Sequence, residues 1–187
     1  TQWWNSGSKE AAYIDFTNPA AANWFVAKLE KLRQNEGIDS FKFDAGEISW
    51  SPTDPVYHSG SSEYPHKILK DYVTTCARLG DLVEVRSAQG TQKLPIFLRM
   101  IDKDTEWTVN NGLPSLVTTM LQMNMVGYPF VLPDMIGGNG YNNVKPDREI
   151  FIRWLQANVF MPSIQFSFVP WDYVNDYEVS LSQEFNF

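Results

Sequence analysis

Two acidic stretches hold the residue types that could do chemistry. In Phe41-Lys42-Phe43-Asp44-Ala45-Gly46-Glu47 a carboxylate closes an apolar run, two small residues follow, and a second carboxylate comes next. In Arg99-Met100-Ile101-Asp102-Lys103-Asp104-Thr105-Glu106-Trp107 several charged groups stand beside an indole. Each stretch has an ordinary structural reading: an aspartate closing a turn after a strand, and a solvated loop of mixed charge. The chemical reading pairs them. Two carboxylates brought in from different strands are what cleavage of a glycosidic bond needs, with carboxyl groups about 5–5.5 Å apart in the retaining mechanism and about 6.5–9.5 Å in the inverting one.

Elements that would position these groups alternate along the chain. Residues 13–16 read as extended. Asn18-Pro19 starts a helix that ends before Gly37, with the proline suited to the first turn. Residues 40–46, 82–85, 96–101 and 130–135 read as short apolar strands, the last of them buried. Residues 64–79, 113–125 and 147–160 read as helices, and 163–168 as extended again. Strand and helix in regular alternation predict a parallel sheet. Asp44, Arg86, Asp102 and Asp134 fall at or just past strand ends. That is where the working residues of a (β/α)8 TIM barrel collect. A doubly wound open sheet also binds ligands at strand C-termini, but no Gly-x-Gly-x-x-Gly or phosphate-loop pattern follows a strand here. The fold class expected is therefore α/β, a partial TIM barrel. A closed barrel takes eight strands and about 250 residues, so residues 1–187 are expected to be a fragment of one barrel domain, roughly its second half.

Composition narrows the partners. The formal net charge is −7 and no Lys/Arg cluster occurs, which argues against a nucleic-acid surface. No run of about 18 apolar residues is present, so no membrane-spanning segment is expected. The opening Thr1-Gln2-Trp3-Trp4 does not read as a signal peptide, because it lacks the basic start and apolar middle of one. The single cysteine, Cys76, has no internal disulfide partner. His58 and His66 show no metal-ligand spacing, so neither a metal nor a cofactor is expected. Aromatic residues make up 14% of the chain, with seven Trp; most serve a core, although flat aromatic faces also suit the apolar faces of a pyranose.

Five blocks in order carry a resemblance. They are Asp15-Phe16-Thr17-Asn18-Pro19 with Trp24-Phe25; Lys42 to Glu47; Arg86-Ser87, sixteen residues before Asp102; Gly127-Tyr128-Pro129 followed by Pro133-Asp134-Met135-Ile136-Gly137-Gly138; and Arg153-Trp154-x-Gln156 with Phe160-Met161-Pro162. From Trp4 to Ser167 the chain resembles glycoside hydrolase family 31, and within it the myogenesis-regulating glycosidase branch, which is associated with α-galactosides. The resemblance implies a retaining α-glycosidase with a carbohydrate substrate. Asp44 would be the nucleophile, with Lys42 the cation near it, and Asp102 the general acid/base. Arg86 would bind a sugar hydroxyl or orient a carboxylate. Trp4 would be an aromatic wall, and Asp134 would bind the sugar or support the site. Asp104, two residues on, competes with Asp102 for the acid/base role. The resemblance also implies the endoplasmic reticulum or secretory pathway.

Three departures from the family pattern bear on the sugar. Arg99-Met100-Ile101 stands where many members have Trp-x-Gly. Gln165 and Ser167 stand where Arg and His are common, and Lys42 where Trp is frequent. They favour an α-galactoside over an α-glucoside. Two rivals stay open: a catalytically silent glycosidase-like scaffold or binding protein, and a phosphate-binding barrel enzyme using Gly137-Gly138-Asn139-Gly140 as its loop and Lys42 as its amine.

Overall fold

The computed structural model describes residues 11–52, 54–60 and 64–173. The chain divides into two compact units, Thr1–Leu98 and Arg99–Phe187.

The first unit begins with a side-chain-built turn. The Asp15 carboxylate accepts from the Thr17 hydroxyl (2.6 Å), the Thr17 N–H (3.0 Å) and the His58 N–H (2.8 Å). Residues 11–15 form no ladder, so the extended stretch expected there is a turn lead-in instead. Burial alone would raise the Asp15 pKa, but these three hydrogen bonds outweigh it and hold the carboxyl below its ordinary value. Helix α1 follows, Pro19–Glu36. Asn18 caps it by accepting from the Ala20 N–H at 2.9 Å, and Pro19 occupies the first turn, where its missing N–H costs nothing. Gly37, with φ +66°, ends it by donating to the Arg33 carbonyl. Helix α2 is His66–Ala77, and it buries Ile68, Leu69, Val73 and Cys76.

Strands β1 (Lys42–Phe43), β2 (Glu84–Val85) and β3 (Phe97–Arg99) are parallel, with Lys42 opposite Glu84 and Glu84 opposite Phe97. Alternation puts Phe43 and Val85 on the buried face, and Lys42 and Glu84 on the other. The strands are shorter than the apolar runs predicted, because a ladder ends where its partner leaves. At β1 the chain turns away at Ala45, and Leu82, before β2, is 67% exposed.

The second unit is built on β4 (Val131–Leu132), α3 (Leu113–Met125) and α4 (Arg148–Asn158). The Met100 N–H donates to the Leu132 carbonyl, and an isolated parallel bridge pairs Ile136 with Phe166. Asp147 caps α4 by accepting from the Ile150 N–H at 2.9 Å. Met100, Leu116, Val131, Ile136, Phe151 and Trp154 form the fully buried centre of the core. Phe130, expected inside a buried strand, is half exposed; the buried residue is its neighbour Val131.

Two outcomes follow from this packing. Trp154→Ala removes a fully buried indole and is expected to cost roughly 3–5 kcal/mol in urea unfolding, against about 1 kcal/mol for Asn18→Ala at the exposed cap. Because the Asp15 carboxyl is held below its unfolded value, its contribution is full above the unfolded pKa of about 4 and is lost as pH falls through the folded one. The stability gap between wild type and Asp15→Asn should therefore be widest at neutral pH and close below about pH 4 in thermal melts; a gap that stays constant across that range would contradict the assignment.

Candidate active site

In the first unit the site grows from the β1–β2 register. With Lys42 opposite Glu84, residues two further along each strand come level on the same face. These are Asp44 and Arg86. Arg86 Nη1 lies 3.0 Å from Asp44 Oδ1, and Arg86 Nε donates to Glu47 Oε1. The Arg86 side chain is 12% exposed while the Asp44 side chain is 60% exposed. A planar fork seated among its own carboxylates thus aims a solvent-facing aspartate.

The turn beyond Asp44 is held in an uncommon conformation. Ala45 has φ +60° and Gly46 φ +92°. A left-handed non-glycine residue costs on the order of 1 kcal/mol and persists only where its surroundings impose it. Here the Tyr72 hydroxyl donates to the Asp44 carbonyl at 3.1 Å, and the Ser87 hydroxyl donates to the Ala45 carbonyl at 3.0 Å. A Cβ on Gly46 would lie 2.6 Å from the Tyr72 ring, so only glycine lets helix α2 approach this closely. A cavity of about 340 Å³ lies beside the turn, with Tyr13, Phe16, Phe25 and Tyr72 among its lining residues.

In the second unit Asp102 sits just past β3, with both oxygens engaged. Arg99 Nη1 donates to Oδ1 at 3.0 Å, and the Tyr141 hydroxyl donates to Oδ2. The Arg99 side chain is 3% exposed, and its Nη1 also lies 3.8 Å from Asp134 Oδ1. Asp134 is fully buried; its Oδ2 accepts from the Lys103 N–H and the Asn139 side-chain amide. Burial raises the Asp134 pKa, opposed by these hydrogen bonds and by the Arg99 charge. Lys103 is buried too, donates to the Ser115 hydroxyl at 3.1 Å, and has its pKa lowered by desolvation. Asn111 clamps the loop, its amide donating to the Asp102 carbonyl and to Asp104 Oδ2, each at 3.0 Å.

Of the residues singled out in the sequence, those within the described stretches now have a place. Asp44 and Arg86 meet in the first unit; Asp102 and Asp134 share Arg99 in the second. The cation on Asp44 is Arg86, while Lys42 Nζ stands 3.7 Å from Glu84. Of the two roles open to Arg86, the geometry is that of a group orienting carboxylates. Asp134, without exposed surface, accepts hydrogen bonds from its neighbours Lys103 and Asn139. Asp104 is tied into the loop by Asn111, whereas Asp102 is held by an arginine and a tyrosine. Arg99 is turned inward, where two aspartates claim its charge. Gln165 likewise spends its amide on the Pro133 carbonyl at 2.9 Å. Trp4 lies outside the described residues. Among the described residues, no helix is long and apolar enough to cross a membrane. Glu47, Tyr72 and Tyr141 were not singled out. Glu47 stood in the motif, but Tyr72 reads as an ordinary helix-face residue and Tyr141 as a loop residue.

The glycosyl hydrolases family 31 TIM-barrel domain matches residues 1–172. The chain is 39% identical over 180 residues to the myogenesis-regulating glycosidase of Mus musculus, covering 92% of this chain and 25% of that protein. It is 27% identical over 163 residues to the sulfoquinovosidase of Escherichia coli, covering 81% of this chain and 24% of that protein. The chain thus spans about a quarter of the length of these relatives. Among solved structures, the cycloalternan-degrading enzyme from Trueperella pyogenes superposes with a TM-score of 0.77 at 21% identity, over 91% of this chain and 27% of that one. The alternating strands and helices are therefore part of a TIM barrel, and the chain belongs to glycoside hydrolase family 31.

Proposed function

We propose that the protein containing this chain is a retaining α-glycosidase, with Asp44 as nucleophile and Asp102 as general acid/base. The observation that carries the reading is the Arg86 fork, which presents an exposed Asp44 at the C-terminal end of β1. In the first step an Asp44 oxygen attacks the anomeric carbon. The glycosidic C–O electron pair leaves with the departing oxygen, which takes the Asp102 proton. In the second step water gives a proton to Asp102, and its oxygen displaces Asp44 from the sugar. Asp102 suits the role better than Asp104, because Asp104 is bound into its own loop by Asn111.

An α-galactoside is the substrate class we favour over an α-glucoside. Its support is the 39% identity to the myogenesis-regulating glycosidase, together with Lys42 and Ser167 in place of the Trp and His common in the family. Relatives named sulfoquinovosidase and alpha-xylosidase indicate how far the sugar varies on this fold. Placement in the endoplasmic reticulum or secretory pathway belongs to the same reading.

In the full-length protein, Asp44→Asn is expected to lower kcat/KM on an α-galactoside disaccharide by on the order of 10³-fold or more, with the circular dichroism spectrum unchanged. Proton NMR of the early wild-type product should show the α-anomer. An initial β-anomer would exclude the retaining mechanism. A cellular function untouched by Asp44→Asn would favour the scaffold reading.

A further inference from the structure

We propose that Tyr141 is a positioning residue that makes Oδ2 the proton-delivering oxygen of Asp102 and stands beside the leaving group; the inference rests on Asp102 being the general acid/base. Two independent features converge on it.

The first is the asymmetry of the Asp102 carboxyl group. Oδ1 faces Arg99, whose guanidinium has only donors. A proton on Oδ1 would set O–H against N–H. Arg99 does not swing away easily, since it is 3% exposed and also held by Asp134 and by the Met100 carbonyl at 3.0 Å. The proton of the acid form therefore belongs on Oδ2, the oxygen that meets Tyr141. A phenol fits that position in both halves of the cycle. It donates to the ionised oxygen and accepts from the protonated one. When Oδ2 gives its proton to the glycosidic oxygen, the C–O bond breaks and the alcohol departs. The Tyr141 O–H then turns to donate to the new carboxylate, and it turns back when water returns a proton to Oδ2. The departing oxygen must come to Oδ2, so its substituent passes Tyr141.

The second feature is the backbone that presents Tyr141. Gly140, Asn142 and Asn143 have φ of +65°, +58° and +61°, so the tyrosine is flanked by left-handed residues, two of them non-glycine. That conformation is unfavourable on its own. It is fastened to the loop that bears Asp102: the Asn139 N–H donates to the Lys103 carbonyl at 2.9 Å, and the Gly140 N–H donates to the Thr105 hydroxyl at 3.1 Å. A Cβ on Gly140 would lie 2.4 Å from the Phe168 ring, so this turn admits only glycine there. Tyr141 itself is half exposed, as a group bordering a departing substituent must be.

The test is the leaving-group dependence of kcat/KM in the full-length protein. It compares Tyr141→Phe and Asp102→Ala with wild type on an α-galactoside disaccharide and on 4-nitrophenyl α-galactoside. A sugar leaving group needs a proton; nitrophenolate scarcely does. Asp102→Ala should lose far more on the disaccharide than on the aryl glycoside. Tyr141→Phe should lose about 10- to 100-fold on the disaccharide, the scale of one hydrogen bond to a charged group, and within about threefold on the aryl glycoside. A merely structural tyrosine would lower both alike. If Asp102→Ala shows the leaving-group signature and Tyr141→Phe is silent or loses equally on both, the Tyr141 assignment alone is overturned. If Asp102→Ala shows no such signature, or wild type is inert on both substrates, the acid/base reading falls and this inference falls with it.

Discussion

A charged fork among carboxylates is the interaction on which the side-chain arrangement in each unit depends. Arg86 stands between Asp44 and Glu47, and Arg99 between Asp102 and Asp134. Both guanidiniums are largely withdrawn from water. Burying a cation is unfavourable unless its charge is compensated, and carboxylates beside each guanidinium supply the opposite charge. Removing one acid would strand the arginine as well as lose a contact. The aspartates are thereby aimed by arginines that are themselves largely buried.

The turns around these forks carry the local conformational cost. Ala45, Asn142 and Asn143 take positive φ, each outside the region where side-chain-bearing residues are comfortable. Neighbours hold the chain beside these positions: Tyr72 and Ser87 hold the carbonyls of Asp44 and Ala45, and Lys103 and Thr105 hold Asn139 and Gly140, just before Tyr141. At two of these turns glycine stands where another group comes within contact distance. Gly46 admits the Tyr72 ring, and Gly138 lies against the backbone of Asp104 and Thr105, where a Cβ would be 2.8 Å away.

The helices needed little beyond local chemistry. Asn18-Pro19 at one end of α1 and Gly37 at the other state its limits in residue types, and α3 spans Leu113–Met125 as its periodicity predicts. The strands were legible as apolar runs but not in extent, because a strand ends where hydrogen bonding to a neighbour ends. Residues 40–46 predicted one strand, and only Lys42–Phe43 pairs.

From the sequence alone came the alternation of strand and helix, the caps, the family, and the acids worth attention, since each depends on residue type and order along the chain. The tertiary structure decided which charge meets which. Lys42 is two residues from Asp44, yet the guanidinium on Asp44 comes from Arg86, more than forty residues away, because parallel register brings alternate residues of β1 and β2 level on one face. Arg99, read as a departure that bears on the sugar, turns inward because two aspartates that follow it in sequence converge on its end in space. Tyr141 had no local signal, for its role rests on a left-handed turn and on hydrogen bonds to a loop some thirty-five positions earlier in the chain. Long-range pairing of charges is a property of register and packing, and neither is written in the spacing of neighbouring residues.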